Sequence, residues 1–196
     1  GVARFLYRDF DSAAQCLEKA NTLAWSTPAH IHLLELHFFS ALNMSASCRQ
    51  GGDCAATLAL MTPHVQQLEG WAALNPQTFK DKALLVGAEV ARLQGDAMRA
   101  MSLYEEAVTA AANAGFVHVQ ALAHELAGEF HHVQGLYTSA RSHYRNARDC
   151  YQRWGALGKV ADLEARGGIL RGQASLARPS IGFVASQDAL DLVSVM

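Results

Sequence analysis

Histidine is the residue type with most potential for chemistry in this chain, which has nine of them in 196 residues. His124-Glu125 fills the first two positions of the zinc-binding helix motif His-Glu-x-x-His, in which two histidines one turn apart share a face. The position that needs the second histidine is Gly128, so the motif is incomplete. His124 and His131 share a helical face with Glu129 nearby, but no third ligand is evident. We therefore expect no metal and no cofactor, and interpret these histidines as packing and hydrogen-bonding groups between helices.

A second candidate, residues 155–160, has the glycines and lysine of a phosphate-binding loop without their spacing. That loop needs four residues between its glycines and a Ser or Thr after the lysine to hold magnesium. Here two residues separate Gly155 from Gly158, and Val160 follows Lys159. The sequence also has no nucleophile elbow and no carboxylate pair in an apolar setting. We therefore expect no catalytic residues, and read 155–160 as the end of a helix and a turn.

The four cysteines are too few for a disulfide scaffold. Cys48 and Cys54 flank two glycines and could approach each other across a turn. A cytoplasmic location is expected, because the chain has no signal peptide and no apolar run long enough to span a membrane. We therefore expect Cys48 and Cys54 to be thiols. Cys16 and Cys150 lie among apolar helical positions and are expected to be buried.

Composition favours a helical protein with a packed core. The chain is 51% hydrophobic and 17% charged, with four prolines and a formal net charge of -2. This hydrophobic content excludes intrinsic disorder. The charge gives no reason to expect a nucleic acid or an anionic membrane as partner.

An internal repeat predicts how the helices are arranged. The same four residue types recur at an offset of 40: Gly95, Ala100, Tyr104 and Ala107, then Gly135, Ala140, Tyr144 and Ala147. The glycine can end one helix in the left-handed conformation. The two alanines and the tyrosine then share one face of the next helix, as a tightly packed helical hairpin requires. The frame fits the start of the chain less well, with Arg8 at the glycine position, followed by Ala13, Leu17 and Ala20.

Periodicity and helix-capping residues predict an all-α fold of three to four stacked antiparallel hairpins. Helices are expected at 2–7, 11–25, 28–46, 53–74, 76–94, 96–114, 116–134, 137–154 and 157–166. Residues 1–171 are expected to form the repeat domain, 172–187 a connector and 188–196 the start of a further helix. That last helix could pack on its own stack or on a second copy, so a homodimer is left open. Both ends stop in mid-pattern, so we expect a piece of a longer protein.

The small–aromatic–small pattern resembles the tetratricopeptide (TPR) family, which implies a right-handed TPR-like α-α superhelix. The period of about 40 residues departs from the family's 34, and each unit lacks the closing proline. In such stacks the leading helix of each hairpin lines an inner groove. By this frame the groove, a candidate partner-binding site, would be lined by Lys82, Leu85, Glu89, Arg92, Leu122, Glu125, Glu129 and His132. This mixed set lacks the Lys/Asn clamp for a terminal carboxylate, but leaves peptide or neighbouring-domain contact open.

A closer resemblance covers residues 79–164. The segments 82–86, 89–95, 100–104, 121–127 and 150–156, then Lys159-Val160 and Leu163-Glu164, look like the helical-repeat region of very large sensor histidine kinases. In that family a kinase-like domain and a nucleotide-binding switch ATPase precede the repeats, and a GAF domain and kinase core follow. Residues 190–196 resemble the helix that leads into the GAF domain. The resemblance implies a place in a signalling protein, with no catalytic motif to carry over.

A basic stripe formed by Arg141, Arg145 and Arg148 runs at helical spacing. Few aromatic residues lie between the arginines to stack on bases, so the stripe indicates a solvated face, or docking onto an acidic part of the parent protein, in preference to nucleic-acid binding.

The function expected is a non-catalytic scaffold in a two-component sensor kinase, relaying between an ATPase-type domain and a GAF/histidine kinase module. The alternative is a free-standing TPR-like adaptor that binds peptides.

Overall fold

A computed structural model describes the backbone of residues 1–26, 31–49 and 51–176, with side chains up to residue 166. In this part of the chain the structure is all-helical and contains no strand, which confirms the all-α prediction. The helices are α1 (Val2–Leu6), α2 (Phe10–Thr22), α3 (His32–Cys48), α4 (Cys54–Leu74), α5 (Pro76–Leu93), α6 (Ala97–Ala114), α7 (Val117–Val133), α8 (Tyr137–Trp154) and α9 (Leu157–Leu176). A 3₁₀ turn, Ala24–Ser26, follows α2.

Several helices start at the predicted positions with a side chain that caps their first turn. Asp53 accepts a hydrogen bond from Ala55 N at 2.9 Å before α4, and Asp96 accepts one from Arg99 N at 3.0 Å before α6. Asn75 caps α5, whose first residue is Pro76. Caps of this kind stabilise a helix by about 1 kcal/mol each, because they satisfy N–H groups that have no partner within the helix. The predicted start of a helix at residue 28 lies outside the described residues.

Left-handed residues separate the helices at regular intervals. Gly95, Gly115, Gly135 and Gly155 have φ angles of 78°, 75°, 76° and 83°. Each helix with its turn therefore takes 20 residues along this stretch, which accounts for the 40-residue repeat of helix pairs. Among the described residues, Arg8 alone has a positive φ without being a glycine, at 65°. It occupies the position that the repeat frame equates with glycine, so the first unit follows the same turn geometry.

Consecutive helices pack on one another from α1 through α9. The helices α3, α5 and α7, which we call the leading helices, also contact one another, α3 with α5 and α5 with α7. The hairpins α3–α4, α5–α6 and α7–α8 are therefore neighbours in a row. This arrangement places the same face of each leading helix next to that of the preceding one.

The repeated small and aromatic residues lie in the core as the pattern predicts. Ala100, Tyr104 and Ala107 are fully buried, and Ala147 is buried in the second unit. Tyr144 is half-buried and packs against α7 at Gly128. Small residues on both sides of a ring let two helix backbones approach closely, so these positions set the separation of the hairpin helices.

Replacing Gly128 with alanine is expected to lower the free energy of unfolding by about 1–2 kcal/mol, because overpacking forces neighbouring groups to move. A Cβ there would lie 3.0–3.3 Å from ring atoms of Tyr144. Gly87→Ala is the matched control in α5, since its Cβ would meet Leu103 at an ordinary 3.7 Å. That variant is expected to gain about 0.5–1 kcal/mol from helix propensity. Urea unfolding followed by circular dichroism measures both, and equal stabilisation would contradict the close packing of α7 on α8.

Two boundaries differ from the sequence-based expectation. Helix α9 runs to Leu176, ten residues beyond the predicted end at 166 and through the predicted domain end at 171. The glycines at 167 and 168 are weak helix formers, but they keep their backbone N–H groups and so do not forbid a helix as proline does. The first residues of the predicted connector 172–187 are therefore helical. Its remainder and the predicted helix 188–196 lie outside the described residues.

The expectation of free thiols at Cys48 and Cys54 is wrong in this structure, where the two are joined as a disulfide with Cα atoms 5.6 Å apart. The turn at Gly51, with φ of 101°, brings the end of α3 to the start of α4. Thiols are expected in a cytoplasmic protein because disulfides are rare there, but the turn between α3 and α4 brings the two cysteines to the separation that a disulfide requires. Cys150 is buried as expected, but Cys16 is exposed because it lies on the outer face of α2.

Candidate functional site

Three glutamates on two leading helices are surrounded by basic side chains, and we call this set the ion network. Its acidic members are Glu89 on α5 and Glu125 and Glu129 on α7. Its basic members are Arg8, Arg49, Arg92, Lys159 and Arg166, all within ion-pair distance of one of these carboxylates. The network therefore links residues from both ends of the described chain.

Glu89 is the most enclosed carboxylate of the ion network, with 1% of its surface exposed. It accepts hydrogen bonds from Arg49 Nη2 at 2.6 Å, from Arg92 Nη2 at 2.8 Å, from Tyr104 Oη at 2.5 Å and from Ser45 Oγ. Burial alone would raise the pKa of Glu89, but the charges of Arg49 and Arg92 and the hydrogen bonds from the two hydroxyls lower it to about 2. Glu89 is therefore ionised at neutral pH.

Glu125 repeats this arrangement one hairpin further along. It is buried, and it accepts hydrogen bonds from Lys159 Nζ at 2.9 Å, from Tyr151 Oη at 2.7 Å and from Arg166. Burial would raise its pKa, but the charges of Lys159 and Arg166 outweigh burial and lower it. In both places a tyrosine of the second helix and cations from other helices hold a carboxylate of the leading helix.

The 40-residue repeat explains how the network is aligned. Glu89 and Glu129 are 40 residues apart and occupy the same position in α5 and α7, ahead of the left-handed residues Gly95 and Gly135. Arg49 lies just past the end of α3 and bridges the two glutamates, pairing with Glu89 and with Glu129. The repeat therefore brings two equivalent carboxylates together on neighbouring leading helices, and the guanidinium group of Arg49 links them to the end of α3.

The first residues of the chain lie against its last described helices. Lys159 Nζ on α9 donates a hydrogen bond to the carbonyl oxygen of Leu6 at 2.8 Å, although the two residues are 153 positions apart. Arg8 pairs with Glu129 on α7, while Phe5 is buried and packs edge-on against Phe39 of α3. The N-terminal segment, residues 1–9, therefore covers part of the face formed by the leading helices.

A cavity of about 520 Å³ remains beside this segment. Its lining is Arg8, Arg49, Arg92, Glu129, Phe130, His132, Val133, Gln134, Tyr144 and Arg166. Four arginines thus face one lining carboxylate. Nη2 of Arg8 and Nη1 of Arg92 make no hydrogen bond to any residue that the structure describes. The cavity can therefore offer N–H donors and positive charge to an anionic group.

The residues predicted to line a groove have three different environments. Arg92, Glu129 and His132 line the cavity, and Glu89 and Glu125 are buried in the ion network next to it. The remaining three do not line an open surface, which corrects the predicted groove. Leu85 and Leu122 lie in the apolar core, and Lys82 is buried with its Nζ 3.1 Å from Asp81 and 4.1 Å above the ring of Phe116. Packing of adjacent hairpins covers these three positions.

The predicted basic stripe lies on α8 and does not join the ion network. Arg141 and Arg145 are exposed, and Arg148 pairs with the adjacent Asp149 at 2.6 Å. One of the three charges is therefore neutralised locally, and the stripe offers two free-standing charges in place of a continuous basic surface.

Sequence reasoning missed several functional residues because they come from distant parts of the chain. The 40-residue offset relates Glu89 to Glu129, but Arg49 lies at a different place relative to its helix end. No sequence signal pairs Arg8, Lys159 or Arg166 with α7. His124 and His131 were identified as sharing a face, but the residues that meet them, Glu105 and His143, lie on other helices.

Comparisons of the chain with protein-family models, with curated proteins and with solved structures give no match. The resemblances to TPR repeats and to sensor histidine kinases therefore stay predictions. Among the described residues, no helix combines the length and apolar character that a membrane crossing needs.

Proposed function

We propose that this chain is a non-catalytic scaffold that binds an acidic segment of another protein, or of a neighbouring domain, in the arginine-lined cavity. We also propose that its hairpins form a TPR-like superhelix. The contacts between α3, α5 and α7 support this architecture, since leading helices that touch in sequence generate an inner face.

All four arginines at the cavity are already paired with glutamates, so the observation that carries the proposal is the surplus of guanidinium N–H donors at the cavity. Arg8, Arg49, Arg92 and Arg166 face it, while Glu129 is the carboxylate in its lining. Planar guanidinium groups suit carboxylates, because they donate parallel hydrogen bonds and keep their charge at all ordinary pH values. Beside them Val133 is 80% exposed, and Phe130 and Tyr144 complete an apolar edge. An acidic peptide with apolar side chains between its carboxylates fits this combination.

The resemblance to sensor histidine kinases supplies the cellular context of the proposal. In that context the scaffold is cytoplasmic and relays a change in packing from an ATPase-type domain to a GAF and kinase module. Leading helices joined by shared ion pairs would move together, which supports transmission along the row. The alternative proposal is a free-standing peptide-binding adaptor. The full reading frame distinguishes the two, since a nucleotide-binding domain upstream and a kinase core downstream are expected only in the first.

Binding is tested with a short fluorescent peptide that alternates Glu and Leu, followed by fluorescence anisotropy. We expect saturable binding, and at least about tenfold weaker binding of the same peptide with Gln in place of Glu, since hydrogen bonds between charged partners are roughly twice as strong as neutral ones. Arg8→Gln is expected to weaken binding of the Glu peptide by about tenfold. Arg8 is the best site for this change because its side chain is 40% exposed, so its loss leaves no deeply buried charge unpaired.

Arg145→Gln is the matched control, because it removes an exposed positive charge that does not line the cavity. It should leave affinity for the Glu peptide unchanged. Equal affinity for the Glu and Gln peptides, or equal weakening by Arg8→Gln and Arg145→Gln, would contradict the proposal.

A further inference from the structure

Three helices bring imidazole and carboxylate groups together outside the ion network. Glu105 on α6, His131 on α7 and His143 on α8 each offer a ligand atom, and these atoms all lie within 4.8 Å of one another. The closest pair is Nε2 of His143 and Oε1 of Glu105, at 3.1 Å. We call these three residues the histidine cluster. None of them belongs to the ion network or lines the arginine cavity.

One ring nitrogen in the cluster is unpaired among the residues that the structure describes. Nδ1 of His131 is buried and makes no hydrogen bond to any of them, and the residue as a whole is 4% exposed. Buried polar atoms are nearly always paired in folded proteins, because burial removes their hydrogen bonds to water. An unpaired imidazole nitrogen beside a second histidine and a carboxylate is the pattern expected of a ligand whose partner is a metal ion.

A further histidine holds the orientation of His143. Nδ1 of His124 lies 3.1 Å from Nδ1 of His143, on the side of the ring away from Glu105. A hydrogen bond between these two nitrogens fixes the rotation of the His143 ring, whichever of them carries the proton. Nε2 of His143 is thereby directed at Glu105 and can donate a hydrogen bond to its carboxylate in the metal-free chain. A bound metal ion would displace that proton and leave Nδ1–H of His143 to donate to His124. Metal-binding histidines commonly donate their second N–H in this way.

We propose that Glu105, His131 and His143 bind a divalent transition-metal ion of the zinc type, with His124 as a positioning residue. Two imidazoles and a carboxylate match the ligands of zinc sites that keep a fourth position open. Tetrahedral zinc needs ligand atoms about 3.3 Å apart, which the Glu105–His143 pair already approaches. The rings of His131 and His143 are stacked at 14° with their centres 5.0 Å apart, so one ring must turn for both nitrogens to point at the ion. Imidazole ligands disfavour Mg²⁺ and Ca²⁺, which prefer oxygen. This replaces the interpretation of His131 and His124 as packing groups alone.

The fourth position would face solvent. The Glu105 side chain is 58% exposed and lines a surface groove between α5 and α6, whereas both histidines are buried. An ion bound here is therefore reached from the side of Glu105, and a water molecule or an external ligand could complete its coordination.

The test is a titration of the purified, chelator-treated chain with Zn²⁺ against a chromophoric chelator, without thiol reductants, which would compete for the metal. We expect one equivalent bound with a Kd in the micromolar range or below. Saturating Zn²⁺ should also raise Tm by about 5 °C or more. Co²⁺ should give visible d–d bands of a four-coordinate site without the near-ultraviolet band of a thiolate ligand, which excludes binding at Cys16 or Cys150.

Glu105→Gln is the principal variant, because Glu105 is exposed and the change keeps its size. It is expected to weaken Zn²⁺ binding by at least about tenfold. Glu106→Gln is the matched control on the next residue and should bind as the parent chain does. His131→Asn should abolish the stoichiometric site, and its Tm without metal shows whether it folds. Binding no tighter than that of scattered surface histidines, or equal affinities for Glu105→Gln and Glu106→Gln, would overturn the proposal even if His131→Asn does not fold.

Discussion

Glu89→Ala is expected to lower the free energy of unfolding by about 3–5 kcal/mol. The substitution leaves Arg49 and Arg92 without the carboxylate that they share, and it also leaves the hydroxyl groups of Ser45 and Tyr104 without their acceptor. Removing one partner of a buried ion pair costs more than the pair itself contributes, because the remaining charges stay desolvated. Urea unfolding at pH 7, followed by circular dichroism and tryptophan fluorescence, measures the change.

Glu106→Ala is the control, since Glu106 is exposed and its loss should change stability by no more than about 0.5 kcal/mol. A pH series adds a second readout through Glu89→Gln. The folded pKa of Glu89, about 2, lies below its ordinary value of 4.5, so its ionised form stabilises the fold above about pH 4.5. This contribution is lost as pH falls from about 4.5 to 2, and the parent chain and Glu89→Gln should converge in that window. A loss below about 1 kcal/mol for Glu89→Ala at pH 7 would contradict the buried network.

Tyr104→Ala is expected to lower the free energy of unfolding by a similar 3–5 kcal/mol, for a different reason. Tyr104 is fully buried between the helices of the second hairpin, and its ring centre lies 5.3 Å from that of Phe130 in the next. Truncation leaves a cavity that the surrounding helices fill only in part, and it also removes a hydrogen bond to Glu89. Thermal and urea unfolding of the variant measure the loss.

Two further tyrosine variants separate the causes. Tyr104→Phe keeps the ring and is expected to lose about 1–2 kcal/mol, the contribution of a hydrogen bond to a charged group. Tyr137→Ala removes a tyrosine that is 47% exposed at the start of α8, and should lose less than about 1 kcal/mol. If Tyr104→Ala and Tyr137→Ala lose the same amount, Tyr104 does not hold the hairpins together.

Much of the fold can be predicted from the sequence, because its signals are local. The glycines at 95, 115, 135 and 155 mark every turn of this stretch, and the small–aromatic–small pattern identifies the buried face of α6 and α8. Arg8 shows that the frame also holds where the residue type departs from it. The end of α9 could not be predicted, because weak helix formers lower helix stability without setting a boundary.

The candidate sites depend on contacts between distant residues, and the sequence carries little information on these. The repeat identifies which face of a leading helix is turned inward, but not that residues 1–9 cover it or that Lys159 reaches Leu6. Glu89 and Glu125 are therefore predicted from the sequence to line a solvated groove, although side chains from other helices bury both of them. His143 lies 12 residues after His131 on a separate helix, a spacing that matches no metal-binding motif.

The central claim is that three leading helices stack so that their charged side chains meet in one network. A double-mutant cycle between Arg49 and Glu129, which are 80 residues apart, tests it most directly. The variants Arg49→Met, Glu129→Gln and the double variant are compared by urea unfolding at pH 7. The account predicts a coupling free energy of about 1–3 kcal/mol, as for residues in one ion-pair network. Effects that add to within about 0.5 kcal/mol would mean that α3 and α7 do not meet through this pair, and would contradict the account.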